Sequence, residues 1–199
     1  MSGDSGPIGL LALQGDYAAH ARALAARGAT TREVRTSSDL DGVAGLVLPG
    51  GESTTMLTLM EGSDLAARLV AEIAGGLPVL ATCAGVILLA REVCLPPQRS
   101  LGVLDVVVER NAYGRQLDSA VVALTVRDPG ALGAEALEGV FIRAPRVTSV
   151  GDGVAVLATR GDDPVLLRQG MILAATFHPE LTPGSPVVDL FVRQVRAAG

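Results

Sequence analysis

The sequence contains no lysine, because all 16 of its basic residues are arginine. A lysine Schiff base with a carbonyl substrate and a P-loop phosphate site both need a primary amine, so this chain can supply neither. The single asparagine, Asn111, precedes His178, which excludes the papain-like order of Cys, then His, then Asn. The third member of any cysteine-based triad must therefore be acidic.

Cysteine and clustered positive charge are also scarce. Two cysteines in 199 residues fit a reducing compartment better than a disulfide framework. The formal net charge is -5 and the arginines are scattered, which argues against a nucleic-acid or anionic-membrane surface. Residues 1–7 have no basic leader region, and no apolar run approaches the roughly 20 residues of a bilayer span. We therefore expect a cytoplasmic protein with neither metal nor cofactor.

The first half of the chain alternates short apolar runs with helical segments. At 199 residues and 49% hydrophobic content, we expect a single domain spanning 1–199, with 1–6 as a flexible tail. Strands are predicted at 8–13, 30–35, 45–48 and 77–81, and helices at 17–27, from about 54, at 66–74 and at 84–92. This alternation is typical of a parallel α/β sheet.

The second half is richer in β-structure. Strands are predicted at 103–109, 120–126, 140–142, 153–158, 165–167 and 171–176. Ser185 and Pro186 are predicted as the N-cap and first residue of a closing helix to about Arg196. We therefore expect an α/β fold with a mixed, mostly parallel sheet flanked by helices and a β-rich C-terminal half. Its functional site should lie at the C-terminal ends of the strands.

Cys83 is the candidate nucleophile. It stands in Thr-Cys-Ala-Gly at 82–85, directly after the apolar run at 77–81. A buried strand should turn sharply into a helix here, so the sulfur would stand at the edge of the sheet, where a helix N-terminus favours the thiolate. A cysteine in an apolar segment is more often a small buried hydrophobe, and Cys94 is interpreted in that way.

A candidate base and its acid lie in Phe-His-Pro-Glu at 177–180, after the last apolar run. If this segment is extended, His178 and Glu180 project from one face of a strand about 6.5 Å apart, close enough for the carboxylate to orient the imidazole. The tripeptide could equally be a turn with a solvated Glu, and a lone histidine is more often structural. The other histidine, His20, is interpreted as structural or as a subunit contact.

Six short motifs together resemble the class I (triad) glutamine amidotransferases, and among them the family of glutaminase subunits of pyridoxal phosphate synthase. The motifs are Leu-Gln-Gly-Asp at 13–16, Pro-Gly-Gly-Glu-Ser-Thr at 49–54, Thr-Cys-Ala-Gly at 82–85, Arg-Asn-Ala-Tyr-Gly-Arg-Gln at 110–116, Ile-Arg-Ala-Pro at 142–145 and Phe-His-Pro-Glu at 177–180. The resemblance covers nearly the whole chain. It implies the three-layer, flavodoxin-like fold of the class I glutamine amidotransferases.

The resemblance also implies a mechanism. Cys83 would attack the side-chain amide of glutamine, and His178 would take the thiol proton and pass it to departing ammonia. Glu180 would orient His178, and water would then hydrolyse the glutamyl thioester. The products would be glutamate and ammonia.

Further residues are carried over from the family motifs. Backbone N–H groups of Gly50, Gly51 and Ala84 would form the oxyanion hole. The residues that would hold glutamine are Gly51, Glu52, Ser53, Arg110, Ile142 and Arg143. Without the resemblance, the same positions would be interpreted as a tight turn, a helix N-cap and ordinary surface charges.

The chain departs from the family pattern at two places. Ala81 takes the first glycine position of the usual Gly-x-Cys-x-Gly elbow, which would matter if that position needed a positive φ. Because Ala81 lies on the strand side of the elbow, we expect it to be tolerated. At 120–121, Ala-Val replaces an aromatic residue and an acid, which puts a local contact in doubt.

The resemblance implies a partner as well. A separate synthase subunit would use channelled ammonia to build pyridoxal phosphate within a hetero-oligomeric complex, and hydrolysis would be weak until that subunit docks. The absence of lysine agrees, since imine chemistry on sugar phosphates must then occur on another chain. The alternatives left open are a glutaminase subunit of another synthase, such as that of imidazole glycerol phosphate, a non-catalytic binding module, and a cysteine hydrolase or chaperone of related fold.

Overall fold

A computed structural model describes residues 6–110 and 120–199 of the chain. Most of the predicted tail, at 1–5, and most of the predicted motif at 110–116 lie outside these ranges. The strands are β1 (Ile8–Leu11), β2 (Thr31–Val34), β3 (Gly45–Leu48), β4 (Val79–Thr82), β5 (Ala90–Cys94), β6 (Leu104–Glu109), β7 (Ala120–Val126), β8 (Leu137–Phe141), β9 (Arg146–Val150), β10 (Ala155–Arg160), β11 (Asp163–Gln169) and β12 (Ile172–Ala175). The α-helices are α1 (Tyr17–Ala25), α2 (Ser53–Met60), α3 (Leu65–Ala74), α4 (Ala84–Leu89), α5 (Pro129–Leu132) and α6 (Pro186–Ala198).

The main sheet determines where the site lies. Within the described ranges it has nine strands in the order β2-β1-β3-β4-β12-β11-β10-β7-β8. The strands from β2 to β12 run parallel, and those from β12 to β8 alternate in direction. Every residue of β1, β3, β4 and β12 is buried, as expected for parallel strands covered on both faces. Their carboxyl ends meet at one edge of the sheet, which is where such folds bind ligands.

Two hydrophobic clusters pack on opposite faces of this sheet. Along β3, Leu46 and Leu48 belong to one cluster and Val47 to the other, which is the alternation a strand imposes. Helices α2, α3 and α4 contribute to the cluster on the first face, and α1 and α6 to the cluster on the second. The protein is therefore a three-layer α/β structure, and the predicted fold class is confirmed.

A smaller sheet, in the order β5-β6-β9, corrects the predicted helix at 84–92. The helix ends at Leu89, and Ala90–Cys94 pairs in parallel with β6 instead. Alanine, arginine and glutamate at 90–92 favour a helix locally, but pairing with a strand distant in sequence outweighs that preference. The strand β9 and the short helix α5 were not predicted, because neither carries a strong hydrophobic period.

The last helix follows its prediction closely. Ser185 precedes Pro186 at the start of α6, although the Ser185 side chain makes no capping bond. Val187, Phe191 and Val195, four residues apart, form its buried face. None of the described helices is both long enough and apolar enough to span a membrane.

Candidate active site

Cys83 occupies a sharp turn between β4 and α4. Its backbone has φ 46° and ψ -105°, a conformation that a residue other than glycine rarely adopts, and its N–H donates to the Ala175 carbonyl at 2.8 Å. Gly85, two residues after Cys83, packs tightly against β3, since a Cβ at Gly85 would lie 2.2 Å from the Leu48 carbonyl oxygen. Strain of this kind concentrates at functional sites, where the surrounding packing holds it in place.

Ala81 takes no part in that strain. It is fully buried in β4, paired with Ala174 of β12 and Leu48 of β3. Among the described residues, positive φ values other than those of glycine occur at Cys83, Leu95 and Arg143. The expected tolerance of alanine at position 81 is therefore consistent with the geometry.

The His178 imidazole bonds the Glu180 carboxylate, with Nδ1 and Oε1 2.8 Å apart. The route to this contact differs from the prediction, because Pro179–Leu181 forms a turn of 3₁₀-helix rather than an extended strand. Proline at the first position of that turn fixes its φ and brings the two side chains together. Glu180 is almost fully enclosed, with 1% of its side chain exposed, and His178 is 12% exposed.

The environment of His178 favours its protonated form. Burial opposes a charge on the ring, but hydrogen bonds with Cys83 and Glu180, together with the charges of both partners, outweigh it and raise the pKa of His178 to about 10. The Cys83 sulfur also lies 3.8 Å from the Ile142 carbonyl oxygen. The ring and the sulfur are therefore placed so that a proton can pass between them.

These groups open onto a cleft of about 390 Å³. The predicted site residues that line it are Gly50, Gly51, Glu52, Ser53, Cys83, Ala84, Arg110, Ile142, Arg143 and His178. Glu180 is the one predicted site residue outside the lining, and it lies behind His178. The structure thus brings the predicted residues together, while the role of each stays a prediction.

Charged side chains stand at the mouth of the cleft. Arg143 Nη2 lies 3.1 Å from Glu52 Oε1, with 76% of the Arg143 side chain and 48% of the Glu52 side chain exposed. The Arg143 backbone has a positive φ of 46°. Arg110 donates to the Thr54 hydroxyl at 3.2 Å. The mouth therefore offers both signs of charge to a ligand.

Two glutamines that sequence reasoning did not assign to the site position its loops. Gln14 accepts a bond from the Glu52 backbone N–H at 2.6 Å. Gln98 accepts from the Ser53 hydroxyl at 3.1 Å and from the Thr54 hydroxyl at 3.0 Å. Gln14 lies in the motif at 13–16 and could have been found there, whereas nothing in the sequence around Gln98 indicates its contact.

Gly50 is closely packed between the two reactive side chains. A Cβ at this position would lie 2.4 Å from His178 Cε1 and 3.3 Å from Cys83 Cβ. Only glycine therefore lets the backbone approach the Cys83 side chain and the His178 ring this closely. In the described ranges, no three His, Cys, Asp or Glu side chains are grouped so as to hold a metal ion.

Comparison with known proteins identifies the family. Residues 10–197 match the model of the SNO glutamine amidotransferase family. The pyridoxal 5'-phosphate synthase subunit PdxT of Thermotoga maritima is 48% identical over 189 residues, covering 95% of this chain and 99% of the relative. The protein of the same description from Frankia casuarinae is 52% identical over 198 residues, covering 98% of each.

Solved structures of similar fold are also found. A crystal structure of a glutamine amidotransferase superposes with a TM-score of 0.87 at 44% identity, covering 96% of this chain and 99% of that one. The structure of PurLQS from Thermotoga maritima shares the fold, with a TM-score of 0.70 at 15% identity over 96% of this chain and 97% of that one. The chain belongs to the SNO glutamine amidotransferase family.

Proposed function

We propose that this chain is the glutaminase subunit of a pyridoxal phosphate synthase, hydrolysing L-glutamine to glutamate and ammonia with Cys83, His178 and Glu180. The observation that carries the proposal is the meeting of a strained, buried Cys83 with a His178–Glu180 pair in one cleft. A nucleophile, a base and a group that orients the base are the requirements of acyl transfer.

The first chemical step is attack of the Cys83 thiolate on the side-chain amide carbon of glutamine. His178 holds the proton that came from the thiol and delivers it to the amide nitrogen, so ammonia leaves and a glutamyl thioester forms. Water then attacks the thioester with His178 as base, releasing glutamate and restoring the thiol. Glu180, bonded to Nδ1, keeps the other ring nitrogen facing the reaction.

Backbone groups near Cys83 are suited to stabilise the tetrahedral oxyanion. The N–H of Ala84 begins helix α4, and the first N–H groups of a helix have no partner within it. Gly50 and Gly51 line the same cleft, and Gly50 packs against the Cys83 side chain and the His178 ring. We propose these three residues as the oxyanion hole, whose donors act on the charge that develops during attack.

The mouth of the cleft is suited to the α-amino acid end of glutamine. We propose that the substrate ammonium pairs with Glu52 and its carboxylate with Arg110 or Arg143, while Gly51, Ser53 and Ile142 contact the remainder. Exposed ion pairs are weak in water. The Glu52–Arg143 pair can therefore exchange its internal contact for two contacts with a zwitterion at small cost.

The partner proposed for this chain is the synthase subunit that consumes the ammonia. The relatives from Thermotoga maritima and Frankia casuarinae are subunits of pyridoxal 5'-phosphate synthase, so a synthase of another pathway and a non-catalytic module are not favoured. We also propose that the chain acts as a single domain in the cytoplasm. Its two free cysteines, Cys83 and Cys94, are compatible with a reducing compartment.

Labelling with 6-diazo-5-oxo-L-norleucine, a diazoketone analogue of glutamine, tests the assignment. With the synthase present, the analogue should lose N₂ and alkylate the Cys83 sulfur, and excess glutamine should protect it. Peptide mass analysis should find Cys94 unlabelled, which makes it the internal control. Absence of label at Cys83, or labelling that glutamine does not slow, would overturn the proposal.

A further inference from the structure

The second histidine of the chain lies directly behind the triad. His20, on α1, is 1% exposed, and its Nε2 is 3.4 Å from Glu180 Oε1 and 3.2 Å from the Thr82 hydroxyl oxygen. Thr82 is the last residue of β4 and immediately precedes Cys83. One buried ring therefore links the strand that immediately precedes the nucleophile to the turn that carries the acid.

The proton on this ring can be assigned from its neighbours. A lone pair at Nε2 would face the Glu180 carboxylate and be repelled by it, so Nε2 carries the hydrogen. Burial lowers the pKa of His20, and repulsion from His178 adds to it, against the opposing attraction of Glu180 and Asp16. His20 is therefore a neutral ring whose N–H is directed at Thr82 and Glu180.

Few hydrogen-bond donors among the described residues face the Glu180 carboxylate. Its Oε1 faces the rings of both His178 and His20, at 2.8 Å and 3.4 Å. Its Oε2 is buried, and no described group hydrogen-bonds it. A carboxylate taken out of water is costly unless hydrogen bonds replace its hydration. Each group that faces Oε1 therefore matters more than it would at an exposed site.

We propose that His20 is a positioning residue of the triad, holding the Glu180 carboxylate in place for His178 and tying it to β4, the strand that ends immediately before Cys83. The inference rests on the proposed glutaminase function. His20 does not contact the cleft, so it acts through Glu180 rather than on substrate. Its loss should impair the turnover step and leave glutamine binding almost unchanged.

Two substitutions separate positioning from packing. His20→Leu keeps much of the volume but removes the donor, whereas His20→Gln keeps an amide N–H near the position of Nε2. Leu24→Ala is the matched packing control, because Leu24 lies on the same helix, is 1% exposed and belongs to the core cluster behind the sheet.

The experiment measures kcat and KM for glutamate release in the presence of the synthase, together with Tm. Loss of one hydrogen bond to a charged group should lower kcat of His20→Leu about tenfold or more, with KM changed less than about twofold. His20→Gln should retain kcat within about threefold. Leu24→Ala should lower Tm by several degrees, about as a core cavity does, with kcat almost unchanged.

Three results would overturn the inference. They are a wild-type kcat in His20→Leu, a loss of kcat in Leu24→Ala equal to that in His20→Leu, and a folded His20→Gln that is as slow as the leucine variant. If His20→Leu does not fold, His20→Asn replaces it. Its shorter side chain puts the amide near Nδ1, so it should be slow where glutamine is not. Wild-type protein that releases no glutamate would instead refute the proposed function.

Discussion

The floor and the rim of the cleft are built differently. The floor, Cys83 with His178 and Glu180, is largely enclosed, with Cys83 6% exposed and the side chains of Glu180 and His178 1% and 12% exposed. The rim, Glu52 with Arg110 and Arg143, reaches solvent, and the Arg143 side chain is 76% exposed. Charges that lie in water interact weakly, and buried ones strongly. The floor is therefore suited to chemistry and the rim to reversible binding.

The largest loss of activity is expected when the base, His178, is replaced. His178→Gln cannot accept the thiol proton, so we expect kcat to fall at least about 10³-fold, the usual contribution of a general acid–base. The measurement is steady-state glutamate release with the synthase present. His20→Gln is the matched control, since it makes the same change at the other histidine and should stay active. Equal losses in the two variants would contradict the assigned roles.

The next largest effect is expected where the backbone approaches the floor. In Gly50→Ala the new methyl carbon would meet His178 Cε1, so the ring or the loop must shift. Misplacement of about 1 Å costs on the order of 10²-fold in rate, and we expect that loss in kcat. A Cβ at Gly153 meets nothing within 4 Å, so Gly153→Ala is the control. A fully active Gly50→Ala would refute the close packing.

Changes at the rim should act on binding. Arg143→Gln removes a cation from the mouth of the cleft, and loss of one charge-assisted contact should raise KM for glutamine about tenfold, with kcat altered less. Arg35→Gln is the control, because Arg35 also pairs with a glutamate, Glu33, in an exposed position outside the cleft. A fall in kcat with KM unchanged would place Arg143 in the chemistry instead.

The smallest expected effect is on the pH dependence of stability, and it tests whether His20 is neutral in the native protein. Burial and repulsion from His178 lower the pKa of His20, although attraction by Glu180 and Asp16 opposes them. The His20 ring is therefore neutral in the native protein at pH values where it takes up a proton in the unfolded chain. The ordinary pKa of histidine is 6.5. Below that pH the free energy of unfolding therefore decreases as pH falls, by at most about 1.4 kcal/mol per pH unit. Denaturant unfolding at pH 5 to 8 should show a steeper loss in the wild type than in His20→Gln. Parallel curves would contradict the buried neutral ring.

The sequence predicted the residues of the floor better than the contacts that hold them in place. Cys83 could be placed because a continuous apolar run followed by Thr-Cys-Ala-Gly is a local signal for strand, turn and helix. Glu180 was predicted to bond His178, yet through an extended strand, whereas proline at 179 produces a turn. The contacts of His20 and Gln98 join residues far apart in the chain, so no local pattern indicates them.

The fold shows the same division between local and distant information. The buried strands β3 and β4 and the helix α6 follow from apolar period and turn residues. The strand β5 does not, because Ala-Arg-Glu at 90–92 favours a helix until β6 pairs with it. Only the assembled sheet decides between the two structures.

Release of glutamate from glutamine, with and without the synthase subunit, tests the central claim most directly. The assay compares the wild type with Cys83→Ala and with Cys94→Ala, which alters the other free cysteine of the chain. Release that rises with the synthase in the wild type and in Cys94→Ala, and is lost in Cys83→Ala, is the predicted result. A wild type that releases nothing even with the synthase, or a Cys83→Ala variant that matches it, would contradict the account.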